Sequence, residues 1–198
     1  YSFFLQFLHT INLMSNEFPS SWRVIHDKVH ADCRIFEVHK RKMLRESDQK
    51  EGEFYVIETN DWVNVLAITR EQEVILVRQF RYGTEGYSLE PPGGVIERGE
   101  DPIFAGQREL LEETGYSGKN PKIIGNVFAN SAIMSNRCHF LFLTDVEKSA
   151  EVSFDPHEEL ETVKVPIDKL KDLVQSGQIS HSIGVNAVFH LMMELGIG

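Results

Sequence analysis

The chain has 198 residues, 41% of them apolar and 25% charged, which suits one globular domain with a small extension and excludes a disordered tail or fibre. Twenty Lys and Arg against thirty Asp and Glu leave a net charge of −10, so the surface as a whole repels nucleic-acid backbones and anionic membranes. An anionic small molecule would need positive charge supplied locally, by arginine or by a metal.

The first thirteen residues, Tyr1 to Leu13, are apolar, yet they lack the basic start and small-residue cleavage site of a signal peptide. They are also too short to span a bilayer. Met14 reads as a natural start, and residues 1–13 are expected to be an extension without a role. Residues 14–52 are expected to hold N-terminal strands, with a strand and turn over Ala31–Arg45 running into the basic Lys40, Arg41 and Lys42. The main domain is expected over 53–198. It opens with three runs rich in Val, Ile and aromatics: Phe54–Thr59, Trp62–Thr69 and Val74–Phe80. Glu90-Pro91-Pro92-Gly93-Gly94 reads as a loop, because two prolines and two glycines support no strand.

A helix follows, with Asp101 as N-cap, Pro102 at its first position and Gly115 at its far end. Strands return near Lys122–Val127 and Cys138–Thr144. Helices are expected over Ile167–Ser176 and Val185–Leu195. Strands lie before, between and after the helices, which predicts a mixed sheet covered by helices rather than a series of βαβ units. Cys33 and Cys138 have no metal-ligand spacing and fit a reduced, cytoplasmic setting. His139 and His181 show no ligand spacing either and read as structural.

The helix after Asp101 conflicts with its own stability. Glu109, Glu112 and Glu113 sit at i, i+3 and i+4, so their side chains share a face, and each like-charged pair costs roughly 0.2–0.5 kcal/mol. They also fall in the last turns, where the helix dipole penalises anions. Two local rules broken at one spot mark a functional site. A divalent cation resolves the conflict, since magnesium takes carboxylate oxygens together with water and phosphate. Gly93 can bring a backbone carbonyl close to the same place, and Arg108 can orient a neighbouring carboxylate.

These residues carry a resemblance. Gly94, Glu100, Arg108, Glu109, Leu110, Glu112, Glu113 and Gly115 stand in the register of the Nudix box, with Tyr116 in place of its final aliphatic residue. The resemblance implies an α/β/α sandwich with a mixed sheet, preceded here by a β-rich segment. It also implies attack of water on a nucleoside diphosphate linked to another group. Glu109, Glu112 and Glu113 would hold Mg2+, or Mn2+ instead, with help from Glu100 and the Gly93 carbonyl. Gly94, Arg108 and Gly115 would be structural parts of the box.

The flanks resemble the ADP-ribose and nucleotide-sugar pyrophosphatase branch. Val77-Arg78-Gln79-Phe80-Arg81-Tyr82 is similar to a strand that there ends in a substrate-contacting arginine. This makes Arg81, then Arg78, candidates for a clamp on phosphate or terminal ribose. Leu89-Glu90-Pro91-Pro92-Gly93-Gly94 resembles the branch's lead-in to the box and adds Glu90 as a substrate-site candidate. The branch can draw its general base from a later glutamate, a place that Glu158 fills, with Glu159 and Glu161 less favoured; Glu112 and Glu113 complete the catalytic candidates. Ala132 stands where ADP-ribose enzymes carry a proline, which leaves GDP-mannose or another nucleotide sugar open. The resembling proteins are homodimers, so a homodimer is expected, with Trp22 a candidate for stacking on a base. A box that binds such ligands without cleaving them is the alternative from another functional class.

Overall fold

The computed structural model describes residues 19–154 and 159–197. The expectations for residues 1–13 and for Glu158 therefore lie outside the described residues. The chain divides into two compact units, Tyr1–Val56 and Ile57–Gly198.

In the first unit β1 (Trp22–Asp32) pairs antiparallel with β2 (Glu37–Arg45), and β3 (Glu51–Glu58) follows β2 in the same sheet. The pattern of residues does not reveal β1 because almost every position of it is exposed, so no apolar alternation marks it. Charge pairs hold the unit instead: Lys40 Nζ lies 2.9 Å from Glu53, and Arg41 Nε donates to Asp27 at 2.9 Å. The Trp22 ring stands edge-on to Phe54 at 5.4 Å, with the Arg45 guanidinium over its face.

The second unit is built on a four-stranded mixed sheet, ordered β7–β4–β9–β8. Its strands are β4 (Trp62–Ala67), β7 (Gly93–Val95), β8 (Tyr116–Phe128) and β9 (Arg137–Lys148). The central pair, β4 and β9, runs parallel, and the outer pairs run antiparallel. A second sheet, ordered β10–β5–β6, joins β5 (Glu73–Arg81) to β6 (Gly86–Glu90) and β10 (Leu160–Pro166).

Alternation along the central strands sorts side chains between two cores. Val63, Val65 and Ala67 of β4, with Leu141 and Leu143 of β9, pack with Ala105 and Leu110 of helix α1 (Pro102–Thr114). Leu66 of β4, with Cys138, Phe140 and Phe142 of β9, packs instead with Ile183, Ala187, Val188 and Leu191 of helix α3 (Ser182–Leu195). The result is helix, sheet, helix, the sandwich expected. Burial pushes the Cys138 thiol up to about 12, so it is a core residue and no thiolate at neutral pH. Among the described residues no helix is long and apolar enough to cross a membrane.

The ends of α1 are those the sequence calls for. Asp101 is extended at φ −75° and its carboxylate accepts the Ile103 N–H at 2.8 Å, while Gly115 closes the helix at φ 73°, where a side chain would be strained. Other boundaries shift. The Ile167–Ser176 segment begins as a single 3-10 turn (Ile167–Lys169) before α2 (Leu170–Gln175). Helix α3 starts at Ser182, three residues before the expected Val185, because Ser182 and Gly184 are weak helix formers that conceal its first turn.

The Glu90–Gly94 segment is a correction. Glu90 ends β6 and Gly93 opens β7, so only Pro91 and Pro92 stand outside the ladders. The prolines lack donors but keep acceptors: the Pro91 carbonyl accepts from Asn64 Nδ2 at 3.2 Å, and the Pro92 carbonyl from the Val65 N–H at 2.7 Å. Gly93 can join β4 because it has no side chain; a Cβ there would lie 2.0 Å from the Val63 carbonyl oxygen.

Replacing Asp101 by Ala removes one cap bond while leaving the packing of α1 intact. The expected loss is about 1 kcal/mol. Urea denaturation of D101A against wild type measures it, and unchanged stability would show that the cap contributes nothing.

Candidate active site

Helix α1 presents Glu109, Glu112 and Glu113 near its C-terminal end, with no basic residue in the last turn to offset them. The compensation comes from Arg108 and from the backbone of β7. Arg108 donates from Nε and Nη2 to the two oxygens of Glu100, each at 3.1 Å. Its Nη1 reaches Glu109 at 2.8 Å and Glu112 at 3.1 Å, and Nη2 also donates to the Val95 carbonyl at 3.2 Å. One guanidinium thus ties three carboxylates together. Hydrogen bonding to Glu100, outweighing burial, holds Arg108 firmly protonated, and the same bond to Arg108 lowers the pKa of Glu100. The Glu97 N–H, donating to Glu100 at 2.9 Å, fixes that side chain further.

Glu113 is buried, and its Oε2 accepts the Gly93 N–H at 2.9 Å. Glu109 is seated against Gly94: a Cβ at that position would meet the Glu109 carboxylate at 2.6–2.8 Å. The Gly93-Gly94 pair therefore does two things. Gly93 lets β7 lie against β4, and Gly94 leaves the space that the Glu109 carboxylate fills. Three carboxylates (Glu100, Glu109 and Glu112) meet one guanidinium, so within this set Arg108 balances one charge and leaves an excess of two, and Glu113 adds a further carboxylate on the same helix. Hard oxygen donors with excess negative charge suit a magnesium-class cation. The oxygens are not drawn to one point. Among the described residues, the three glutamates of α1 do not bring their ligand oxygens within 4.8 Å of one another.

A second cluster lies at the far end of the diproline segment. Glu90 is 1% exposed, and its oxygens accept from Arg81 Nε at 2.9 Å and Nη2 at 2.8 Å, a bidentate pair. His181 Nδ1 lies 3.2 Å from the Glu90 oxygen that also faces Arg81. Burial would raise the Glu90 pKa, but hydrogen bonds from His181 and Arg81 together outweigh it and hold this carboxyl well below its usual range. Arg81 and Glu90 are brought together, then, with Glu90 facing the arginine. Arg78 points elsewhere and pairs with Glu161 at 2.8 Å, both largely exposed, which leaves Glu161 in an ion pair on the strand surface. Trp22 lies in the first unit, packed on Phe54 and Arg45. His139 stands 3.3 Å from Asp61. The sequence reading takes His181 as structural, and its link to Glu90 is one that no local pattern shows.

The match to known proteins follows this geometry. A family profile described as "NUDIX domain" matches residues 59–182. The chain is 31% identical over 135 residues to a protein of Bacillus subtilis (strain 168) named "ADP-ribose pyrophosphatase", covering 67% of this chain and 72% of that one. It is 28% identical over 118 residues to a "GDP-mannose pyrophosphatase" of Salmonella typhimurium, covering 55% of this chain and 61% of the relative. A solved structure titled "Crystal structure of ADP compounds hydrolase" has the same fold, with a TM-score of 0.81 and 22% identity, over 91% of this chain and 97% of that one.

Glu90→Gln removes a buried charge that two donors face, with an expected loss of about 1.5–3 kcal/mol near neutral pH, the range for hydrogen bonds to charged groups. A carboxyl whose folded pKa is depressed stabilises the fold above its ordinary 4.5 and loses that contribution as pH falls toward the folded value. The gap between wild type and E90Q should therefore narrow in acid. Denaturant melts at neutral pH and in acid test this, and a gap that widens in acid would contradict it.

Proposed function

We propose, given that the chain belongs to the Nudix family and is a diphosphatase of that family, that it uses magnesium to hydrolyse ADP-ribose or a related nucleotide sugar to a nucleoside monophosphate and a sugar phosphate. One observation carries the reading: the carboxylates of α1 gather around Arg108 with a surplus of negative charge, at the one place where Gly94 leaves room for them.

In this reading Glu109, Glu112 and Glu113 hold the cation, with Glu100 and the Gly93 carbonyl in support. Magnesium, or manganese in its place, would neutralise charge on the diphosphate and lower the pKa of water when bound. Water attacks one phosphorus, its oxygen forms the new P–O bond, and the bridging P–O bond breaks, leaving two monoesters. The residues of this chain prepare that step. Arg108 keeps Glu100, Glu109 and Glu112 oriented at one end of α1, and the Gly93 N–H holds Glu113. Arg81 offers a guanidinium to a phosphate or to the terminal ribose, oriented by Glu90. Glu158, two residues before β10, is the proposed base for the attacking water, with Glu112 and Glu113 the other catalytic carboxylates. Arg78, which pairs with the exposed Glu161, is the second candidate for the clamp after Arg81. A homodimer, with Trp22 contributing to the base site, and a cytoplasmic setting complete the proposal and rest on the family resemblance.

GDP-mannose is the second substrate reading. It is favoured by Ala132, which stands where the branch's ADP-ribose enzymes carry proline, and by the resemblance to the Salmonella protein.

The test is product analysis with ADP-ribose, ADP-glucose and GDP-mannose, in magnesium and in chelator, beside Glu112→Gln. Wild type should yield a nucleoside monophosphate and a sugar phosphate only with the metal, and E112Q should lose at least about 10–100-fold, the cost of disturbing even the outer partners of a metal. Binding of these nucleotides without cleavage would overturn the enzyme reading and favour a sensor.

A further inference from the structure

We infer that His181 is a positioning residue for the substrate clamp, setting the direction of Arg81 through Glu90; this rests on the proposed reading of Arg81 as the group that grips the anionic substrate. His181 is the N-cap residue of α3 and has the extended backbone of a cap, φ −65° and ψ 125°. Its side chain does not cap its own helix. It turns instead to Glu90, with Nδ1 at 3.2 Å from the carboxylate oxygen that Arg81 Nη2 reaches at 2.8 Å. A carboxylate offers only acceptors, so Nδ1 must carry the proton of this contact.

The consequence lies in the difference in exposure between the partners. Glu90 is 1% exposed, whereas the Arg81 side chain is 44% exposed and can swing to water. A buried carboxylate with a single mobile donor would leave the guanidinium poorly fixed. With His181 as a second donor anchored on a helix, Glu90 is held in one rotamer and Arg81 is directed by it. Glu90 is also the first residue of a segment pinned at every step. Pro91 is held by Asn64, Pro92 by Val65, and Gly93 by Glu113. His181 therefore anchors the end of a fixed segment that runs from the clamp to the α1 carboxylates, and the two prolines keep its length. The start of α3 packs on this segment too, since a Cβ at Gly184 would lie 3.6 Å from Pro91 Cδ.

The test is steady-state kinetics of the full chain with magnesium and whichever nucleotide sugar the wild type cleaves, for wild type, H181A, H181N, R81A and H181A/R81A. Loss of one hydrogen bond to a charged group predicts a KM raised about tenfold in H181A, with kcat within about twofold of wild type. H181N, whose side-chain amide can take the place of Nδ1, should recover most of that loss. In the R81A background the His181 substitution should add nothing, because its effect passes through the arginine.

A wild-type KM in H181A would overturn the inference while leaving the hydrolase reading standing. The same rise in KM with and without Arg81 would overturn it as well, showing that His181 touches substrate directly. A wild-type chain that cleaves no nucleotide sugar would sink the reading beneath it, and the inference with it. If H181A does not fold, H181L, which fills space but offers no donor, carries the same comparison with R81A.

Discussion

Mutual repulsion among carboxylates is the constraint around which the second unit is organised. Glu109, Glu112 and Glu113 share one face of α1 at the end where the helix dipole is also unfavourable, and no basic residue lies in that last turn. The structure answers with contacts that make sense only as support for this cluster. Arg108 spends its donors on Glu100, Glu109, Glu112 and one backbone carbonyl. Gly93 gives Glu113 a backbone donor, and Gly94 gives Glu109 room. None of this cancels the surplus charge, and the cost is carried by the two apolar cores on either side of the β4–β9 pair.

The diproline segment connects that cluster to Glu90, the other buried carboxylate among the described residues, which is paired with Arg81. Glu113 and Glu90 are both buried, and Glu90, Pro91, Pro92 and Gly93 are each held by a hydrogen bond, the first to β5, the two prolines to β4 and the glycine to α1. A guanidinium at one end and acidic oxygens at the other is the arrangement a diphosphate requires. In the proposed function one end would bind anionic oxygen directly and the other would bind it through a cation. Rigidity between the two ends matters because reactive geometry is lost by displacements of about 1 Å.

Local signals made helix α1 legible in the sequence. Asp101, Pro102 and Gly115 specify its ends within one turn, and the spacing of the three glutamates needs no tertiary knowledge to be seen as costly. The core strands were legible too, because β4 and β9 bury both faces and read as continuous apolar runs. What stayed hidden depended on distant partners. Nothing near Trp22–Asp32 marks β1, since its residues are exposed and its order comes from pairing with β2. The short strand β7 was concealed by its glycines, whose role is to approach β4 rather than to favour any conformation. His181 was concealed for the same reason: its partner Glu90 lies on another element, and only the fold brings them together. The sequence ranks Arg81 before Arg78, and the fold adds what stands opposite each, Glu161 on an exposed ladder for Arg78 and Glu90 in the interior for Arg81.

The central claim is that the α1 cluster is strained without a cation and relieved by one. Thermal melting of the wild type and of Glu109→Gln, each with chelator and with millimolar magnesium, measures this directly. A ligand at about a hundred times its dissociation constant adds about 2.7 kcal/mol to the folded state. The account therefore predicts a rise of several degrees in the wild type and little or none in E109Q. A wild-type melting temperature that ignores magnesium, or an equal rise in both proteins, would contradict it.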